Sequence, residues 1–183
     1  MDLNLNNVIM SFGNKEYFER ILNDLAYREY LDLMVVYKQI IEDDENGITT
    51  RTLTKKELEK AGITIEEIEN IAKKNMLARF PAKIESFQGM MTVTNSDNFL
   101  GAVAILYSNI LKEIAELFNT DFYLLPSSRH EFIVLPKHDM FNVNELRILV
   151  KSINHTIVDI EDRLTDNVYY FDNSASEIKV ARA

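Results

Sequence analysis

Three histidines, His130, His138 and His155, are the only imidazoles in the chain, and there is no cysteine. Hydrolytic or metal-binding chemistry would therefore have to combine one of them with hydroxyls or carboxylates. Thiol catalysis, zinc ribbons, iron–sulfur ligation and disulfides are excluded. The densest combination is Ser127-Ser128-Arg129-His130-Glu131. A serine activated by an imidazole that a carboxylate orients is nucleophile chemistry. Adjacency works against it here, because neighbours on a strand such as His130 and Glu131 point to opposite faces and no Gly-x-Ser-x-Gly elbow surrounds the serines. A hydrolase centred on Ser128 and His130 is the least favoured reading, since a hairpin turn whose hydroxyls cap backbone groups accounts for the same residues. For metal, His130-Glu131 lacks a second histidine four residues on, and His138-Asp139 follows Pro136 in a loop, so neither has a standard spacing. Gly13, Gly47, Gly62, Gly89 and Gly101 form neither a dinucleotide fingerprint nor a phosphate loop. The expectation is a protein without catalytic residue, metal or cofactor.

Acidic clustering is the remaining signal. Glu42-Asp43-Asp44-Glu45 are consecutive, and Asp159, Glu161, Asp162, Asp166, Asp172 and Glu177 face the single Arg163. Charges this dense repel one another, which a basic partner relieves; solvated loops have the same composition. Both runs fall where the apolar pattern lapses. Glu42, Asp43, Asp44, Glu45, Asp159, Glu161 and Asp162 are accordingly the expected partner-facing residues. With a net charge of −9 and a pI near 4.9 the chain is not expected to bind nucleic acid directly. A basic nucleic-acid-binding enzyme is the expected protein partner, and a structural or regulatory interaction module is the alternative. No apolar run reaches membrane-spanning length and the N-terminal residues lack a signal-peptide pattern, so a soluble cytoplasmic protein without membrane partners is expected. Oligomeric state stays open.

The elements that would position these groups follow from periodicity. A chain of 183 residues, 46% of them hydrophobic, can bury about 70% of its unfolded surface without staples. Val8-Ile9-Met10 predicts a strand, and Tyr17, Phe18, Ile21, Leu22 and Leu25 a helix that starts at an Asn14 cap. Leu31 to Ile41 and Ile48 to Leu53 predict a hairpin whose loop carries the four carboxylates. Thr54 with Glu57, and Thr64 with Glu67, fit capping boxes, with Ile63 and Ile68 placed as a staple. Around Pro81 the pattern predicts a connection from Met76 to Gln88, with a short strand near Ile84 to Phe87. Met90 to Thr94 reads as a strand, Leu100 to Phe118 as one continuous helix, and Phe122 to Leu125 and Phe132 to Leu135 as two strands. A helix behind Asn142 and a last strand at Val168 to Phe171 follow, and the tail after Asp172 reads as frayed. The fold class is α+β: two intimate lobes, 1–85 and 86–183, of mixed or antiparallel sheet with helices packed on one face. Element order alone suggests a repeated β-α-β-β-α-β arrangement of the split-βαβ kind.

Several segments, in order, carry a family resemblance: Asp32-Leu33-Met34-Val35-Val36-Tyr37, Ala72-Lys73-Lys74-Asn75, Met91-Thr92-Val93-Thr94-Asn95, Gly101-Ala102, Leu124-Leu125-Pro126-Ser127-Ser128 with His130-Glu131, and Asn167-Val168-Tyr169-Tyr170-Phe171-Asp172. The chain resembles a bacterial family of unknown function from anaerobic gut Gram-positive bacteria and their mobile elements. Members are typically longer, so the chain looks like their C-terminal two-thirds, and Arg129 stands where the family often has Ile. The resemblance implies no reaction. A small, acidic, cysteine-free chain of this kind also looks like anti-CRISPR inhibitors, which implies a non-enzymatic protein that blocks a CRISPR effector nuclease.

Overall fold

Leu33-Met34-Val35-Val36-Tyr37 is apolar at every position, so as a strand it needs cover on both faces. The computed structural model describes residues 2–138 and 141–182. In it the run begins β3 (Leu33–Asp44), the central strand of the first of two compact units, Met1–Pro81 and Ala82–Ala183. β1 (Val8–Gly13) pairs along one side of β3. β2 (Tyr27–Tyr30) and β4 (Gly47–Thr52) share the other, β2 against its first four residues and β4 from Lys38 to Asp44. Met34 and Val36 pack with Phe18 and Leu25 on one face. Tyr37 faces α2 (Ile65–Arg79), its hydroxyl donating to Glu69 Oε2 at 3.1 Å. Glu69 also accepts from Arg28 Nε at 2.6 Å and Nη2 at 3.1 Å, and lies 2.7 Å from Lys73 Nζ. Burial would raise the Glu69 pKa, but the bonds from Arg28 and Lys73 prevail and hold it at about 2.

Both capping boxes form as expected. Thr54 caps α1 (Lys55–Ala61) and Thr64 caps α2, each exchanging hydrogen bonds with the glutamate three residues on. Three expectations in this unit are corrected in whole or in part. Asn14 starts no α-helix: its Oδ1 accepts the Glu16 N–H at 2.7 Å in a local turn, and only a short 3-10 turn at Glu19–Ile21 follows. The residue pattern does not predict the short strand β2. α2 runs on to Arg79 where a connection from Met76 was expected, while the strand expected near Ile84 to Phe87 is present as β5 (Ala82–Phe87), in the second unit. The expected order is present only in part in this unit, since a 3-10 turn stands where its first helix was expected and α1 and α2 follow β4.

The second unit is a six-stranded antiparallel sheet in the order β10-β9-β7-β8-β6-β5. Its strands after β5 are β6 (Met90–Asn95), β7 (Phe122–Ser128), β8 (Glu131–Pro136), β9 (Tyr169–Asp172) and β10 (Glu177–Val180). The fold class is α+β, as expected. The order β-α-β-β-α-β is present from β6 to β9, yet the neighbours are not those of a split-βαβ sandwich, whose first and third strands are central. Here β7 and β8, the second and third, are central. Tyr123, Leu125 and Leu135 pack with Leu146 and Val150 of α4 (Val143–Thr156). Phe122, pointing the opposite way, stacks on Phe171 at 4.8 Å and meets Phe118 of α3 (Ile110–Phe118) at 6.1 Å. Helices thus lie on both faces of this sheet, where one was expected.

The expected continuous helix from Leu100 to Phe118 is broken. Gly101–Leu106 is a 3-10 helix, Tyr107 is extended, and Asn109 takes φ 77° before α3 begins. Gly101 through Ile105 are all buried, so this run has no solvent face. A Cβ on Gly101 would lie 2.3 Å from Thr94 Oγ1 and 2.7 Å from both Asn95 N and His130 O, so only glycine fits. Nor is the tail frayed. β10 pairs with β9 from Glu177–Asp172 to Val180–Tyr169, and Ala181 N–H donates to Val168 O at 2.8 Å.

Candidate functional site

The acidic run lies in a strand as much as in a loop. β4 starts at Gly47, so the turn is only Glu45-Asn46, while Glu42, Asp43 and Asp44 extend β3 opposite Thr49, Ile48 and Gly47. The register shifts between Ile40 and Glu42. A shift of this kind bends a strand and raises its twist. The change coincides with a change in burial, since Leu33 to Ile40 are buried and residues 41–46 are exposed. Alternation then sends Glu42 and Asp44 to one face and Asp43 to the other. Asp43 forms an ion pair with Arg79 at the end of α2. Asp44 Oδ1 accepts the Asn46 N–H at 2.8 Å, which shapes the turn. Among the described residues Glu42, Asp44 and Glu45 make no ion pair, so the hairpin tip presents uncompensated negative charge.

The second acidic run is a different object. β7 and β8 join through the two-residue turn Arg129-His130, with Ser128 opposite Glu131. Arg129 N–H donates to Asp162 O at 2.8 Å. Its guanidinium Nε lies 2.5 Å from Asp162 Oδ1 and its Nη2 3.5 Å from Glu161 Oε1. Arg163, the only cation within the run, is directed elsewhere: its Nε donates to Val158 O at 2.9 Å. Glu161 and Asp162 therefore hold the 129–130 turn through Arg129, and only Asp159 of the three expected residues makes no ion pair among the described residues. The two acidic sets belong to different units.

Around His130 the chain builds a network that its neighbours in sequence do not reveal. His130 Nδ1 lies 3.1 Å from the Leu100 N and 3.2 Å from Asn98 O, and its Nε2 lies 3.4 Å from Asp162 Oδ1. Thr94 Oγ1 donates to His130 O at 2.8 Å. Asn95, fully buried, closes the 95–99 loop by accepting from Asp97 and Phe99 N–H and donating to Phe99 O. Ser128 Oγ accepts the His130 backbone N–H at 3.0 Å, and Ser127 Oγ donates to Glu131 at 3.3 Å. Both hydroxyls are thereby used in shaping the turn, and no bond from Ser128 to the imidazole is present among the described residues. The sequence signal for this network is Gly101 beside Thr94-Asn95, a glycine required by close approach to the 130 turn.

Among the described residues no three His, Asp or Glu side chains converge as metal ligands; Asp139, beside His138, lies outside the described residues. No helix among them is long and apolar enough to cross a membrane. Fold and surface define an α+β protein of two antiparallel-sheet units bearing an exposed acidic hairpin. The chain belongs to the family of unknown function DUF5688, which matches it over residues 4–93 and again over 85–173. That match carries no information on source organisms, mobile elements or an inhibitory role. No curated protein and no solved structure matches the chain.

Proposed function

We propose that this chain is a non-enzymatic, cytoplasmic binding protein that engages a basic nucleic-acid-handling enzyme through the tip of the β3–β4 hairpin. One observation carries the reading: Glu42, Asp44 and Glu45 project from the hairpin with no cation paired to them among the described residues and no part in the core. Such a tip attracts a basic surface over a distance of about 8–10 Å at physiological salt and loses that attraction as salt rises. Asp43 contributes less, because Arg79 already neutralises it. Asp159 is a separate, weaker element, and Glu161 and Asp162 are occupied by Arg129. In its most specific form the partner is a CRISPR effector nuclease whose nucleic-acid channel the acidic tip enters. Size, charge and the hairpin support that form.

The test is a pull-down of basic nucleic-acid enzymes, CRISPR effector nucleases included, with the wild-type chain and with Glu42→Gln/Asp44→Asn/Glu45→Gln. Capture by the wild type, with an association rate several-fold slower and a flatter salt dependence for the triple variant, is the expected result. Capture of none, or equal rates for both chains, refutes the proposal.

A further inference from the structure

Strand register brings an unusual set of side chains onto one face of the second sheet. Lys179 of β10 lies opposite Tyr170 of β9, and Tyr170 opposite Tyr123 of β7. Tyr123 belongs to the cluster beneath α4, so the row runs from under that helix outward to the C-terminal hairpin. Lys137 follows the end of β8, where its backbone N–H donates to Asp121 O at 2.8 Å. Together with Val143 at the start of α4 and Arg182 beyond β10, these residues wall a cleft of about 690 Å³. That volume is in the range of small-ligand sites.

The cleft's floor is aromatic and fixed. The Tyr170 hydroxyl donates to Asp121 and accepts from Lys137 Nζ at 3.2 Å, so the ring is anchored at its far end. The Tyr123 ring lies 5.8 Å away, centroid to centroid. Lys137 and Lys179 approach the Tyr170 ring at 5.0 and 5.4 Å from its centroid. The cleft's charge is of one sign: Lys137, Lys179 and Arg182 line it, and no carboxylate among the described residues does, in a chain whose net charge is −9. Asp121 and Asp172, at 3.8 Å from Lys137 and 3.6 Å from Lys179, temper two of these charges from outside the wall. The hydrogen bond to Tyr170 raises the Lys137 pKa and the one from Tyr170 lowers that of Asp121, so both stay charged at neutral pH.

We propose that this cleft binds a small anion carrying a planar ring, the anionic group among Lys137, Lys179 and Arg182 and the ring beside Tyr170, the less buried of the two tyrosines. An aromatic side chain with ammonium groups beside it is complementary to such a ligand, since the ligand's ring extends the apolar contact at Tyr170 while its anion neutralises the cations. Two sources share that chemistry, a phosphate on a nucleotide and a carboxylate on an aromatic acid.

Calorimetric titration of the full chain with AMP, 4-hydroxybenzoate, adenosine and inorganic phosphate distinguishes them. AMP binding more tightly than both adenosine and phosphate marks the nucleotide class, whereas binding of 4-hydroxybenzoate with AMP silent marks the aromatic acid class; either supports the proposal. Lys179→Gln, an exposed substitution, should then weaken the bound probe about tenfold, the value of one charged hydrogen bond. Tyr170→Leu should remove the preference for a ring-bearing anion, and Arg182→Gln serves as a second cation variant that leaves the sheet untouched. Binding of neither ring-bearing probe, phosphate binding as tightly as AMP, or unchanged affinity in both cation variants overturns it. None of these outcomes bears on the acidic hairpin of the first unit.

Discussion

Replacing Glu69 by glutamine removes one charge and little else, and it isolates the polar centre of the first unit. Glu69 keeps only 11% of its side-chain surface in contact with water, while Arg28 and Lys73 keep 36% and 37%. Burial disfavours the carboxylate, but the bonds from Arg28 and Lys73 bring its pKa from 4.5 down to about 2. At 1.36 kcal/mol per tenfold, that depression is equivalent to about 3 kcal/mol of folding stability, and screening at the two half-exposed cations reduces it to about 2 kcal/mol. The sign follows from the direction of the shift. The contribution is present above the unfolded pKa near 4.5 and is lost as pH falls from there to about 2. Urea unfolding of wild type and Glu69→Gln at pH values from 7 to 2 measures it. The variant should be about 2 kcal/mol less stable at pH 7, and the two curves should converge as pH approaches 2. A difference below about 0.5 kcal/mol at pH 7, the usual size of a surface substitution, or curves that stay parallel down to pH 2, would refute the reasoning.

Gly101→Ala places a methyl group against Asn95 N and His130 O, both backbone atoms that cannot rotate away; a loss of about 2–4 kcal/mol by chemical denaturation is expected, and a loss under about 1 kcal/mol would show that the loop yields. Thr54→Ala removes the hydroxyl that accepts the Glu57 N–H and leaves the first turn of α1 open. It should cost about 1 kcal/mol, seen as a lower urea midpoint at unchanged slope, and an unchanged midpoint would show that the cap is dispensable.

Features closed by near neighbours were readable from the residues, and features closed by distant ones were not. The Thr54 and Thr64 caps need only a glutamate three positions on, and both formed. The Leu100 to Phe118 stretch shows helical spacing of apolar residues, but its conformation is set at Gly101 by Thr94, Asn95 and His130, the last 29 positions away. Glu177-Ile-Lys-Val alternates as a strand should, yet only the open edge of β9 makes it one. The acidic runs divide in the same manner. Composition marks both as dense in charge, whereas Arg129, more than thirty positions before Glu161, decides that the second is already compensated.

That difference determines which charges can report on a partner. Neutralising Glu161 and Asp162 would leave the Arg129 guanidinium, 20% exposed, without its carboxylates and would disturb the 129–130 turn itself. Any loss of binding there would mix folding with contact. Glu42, Asp44 and Glu45 hold no cation among the described residues, and their removal relieves repulsion within the hairpin without exposing a buried charge. A change in association rate at Glu42 and Glu45 therefore reads the encounter alone, whereas Asp44 also accepts the Asn46 N–H that shapes the turn.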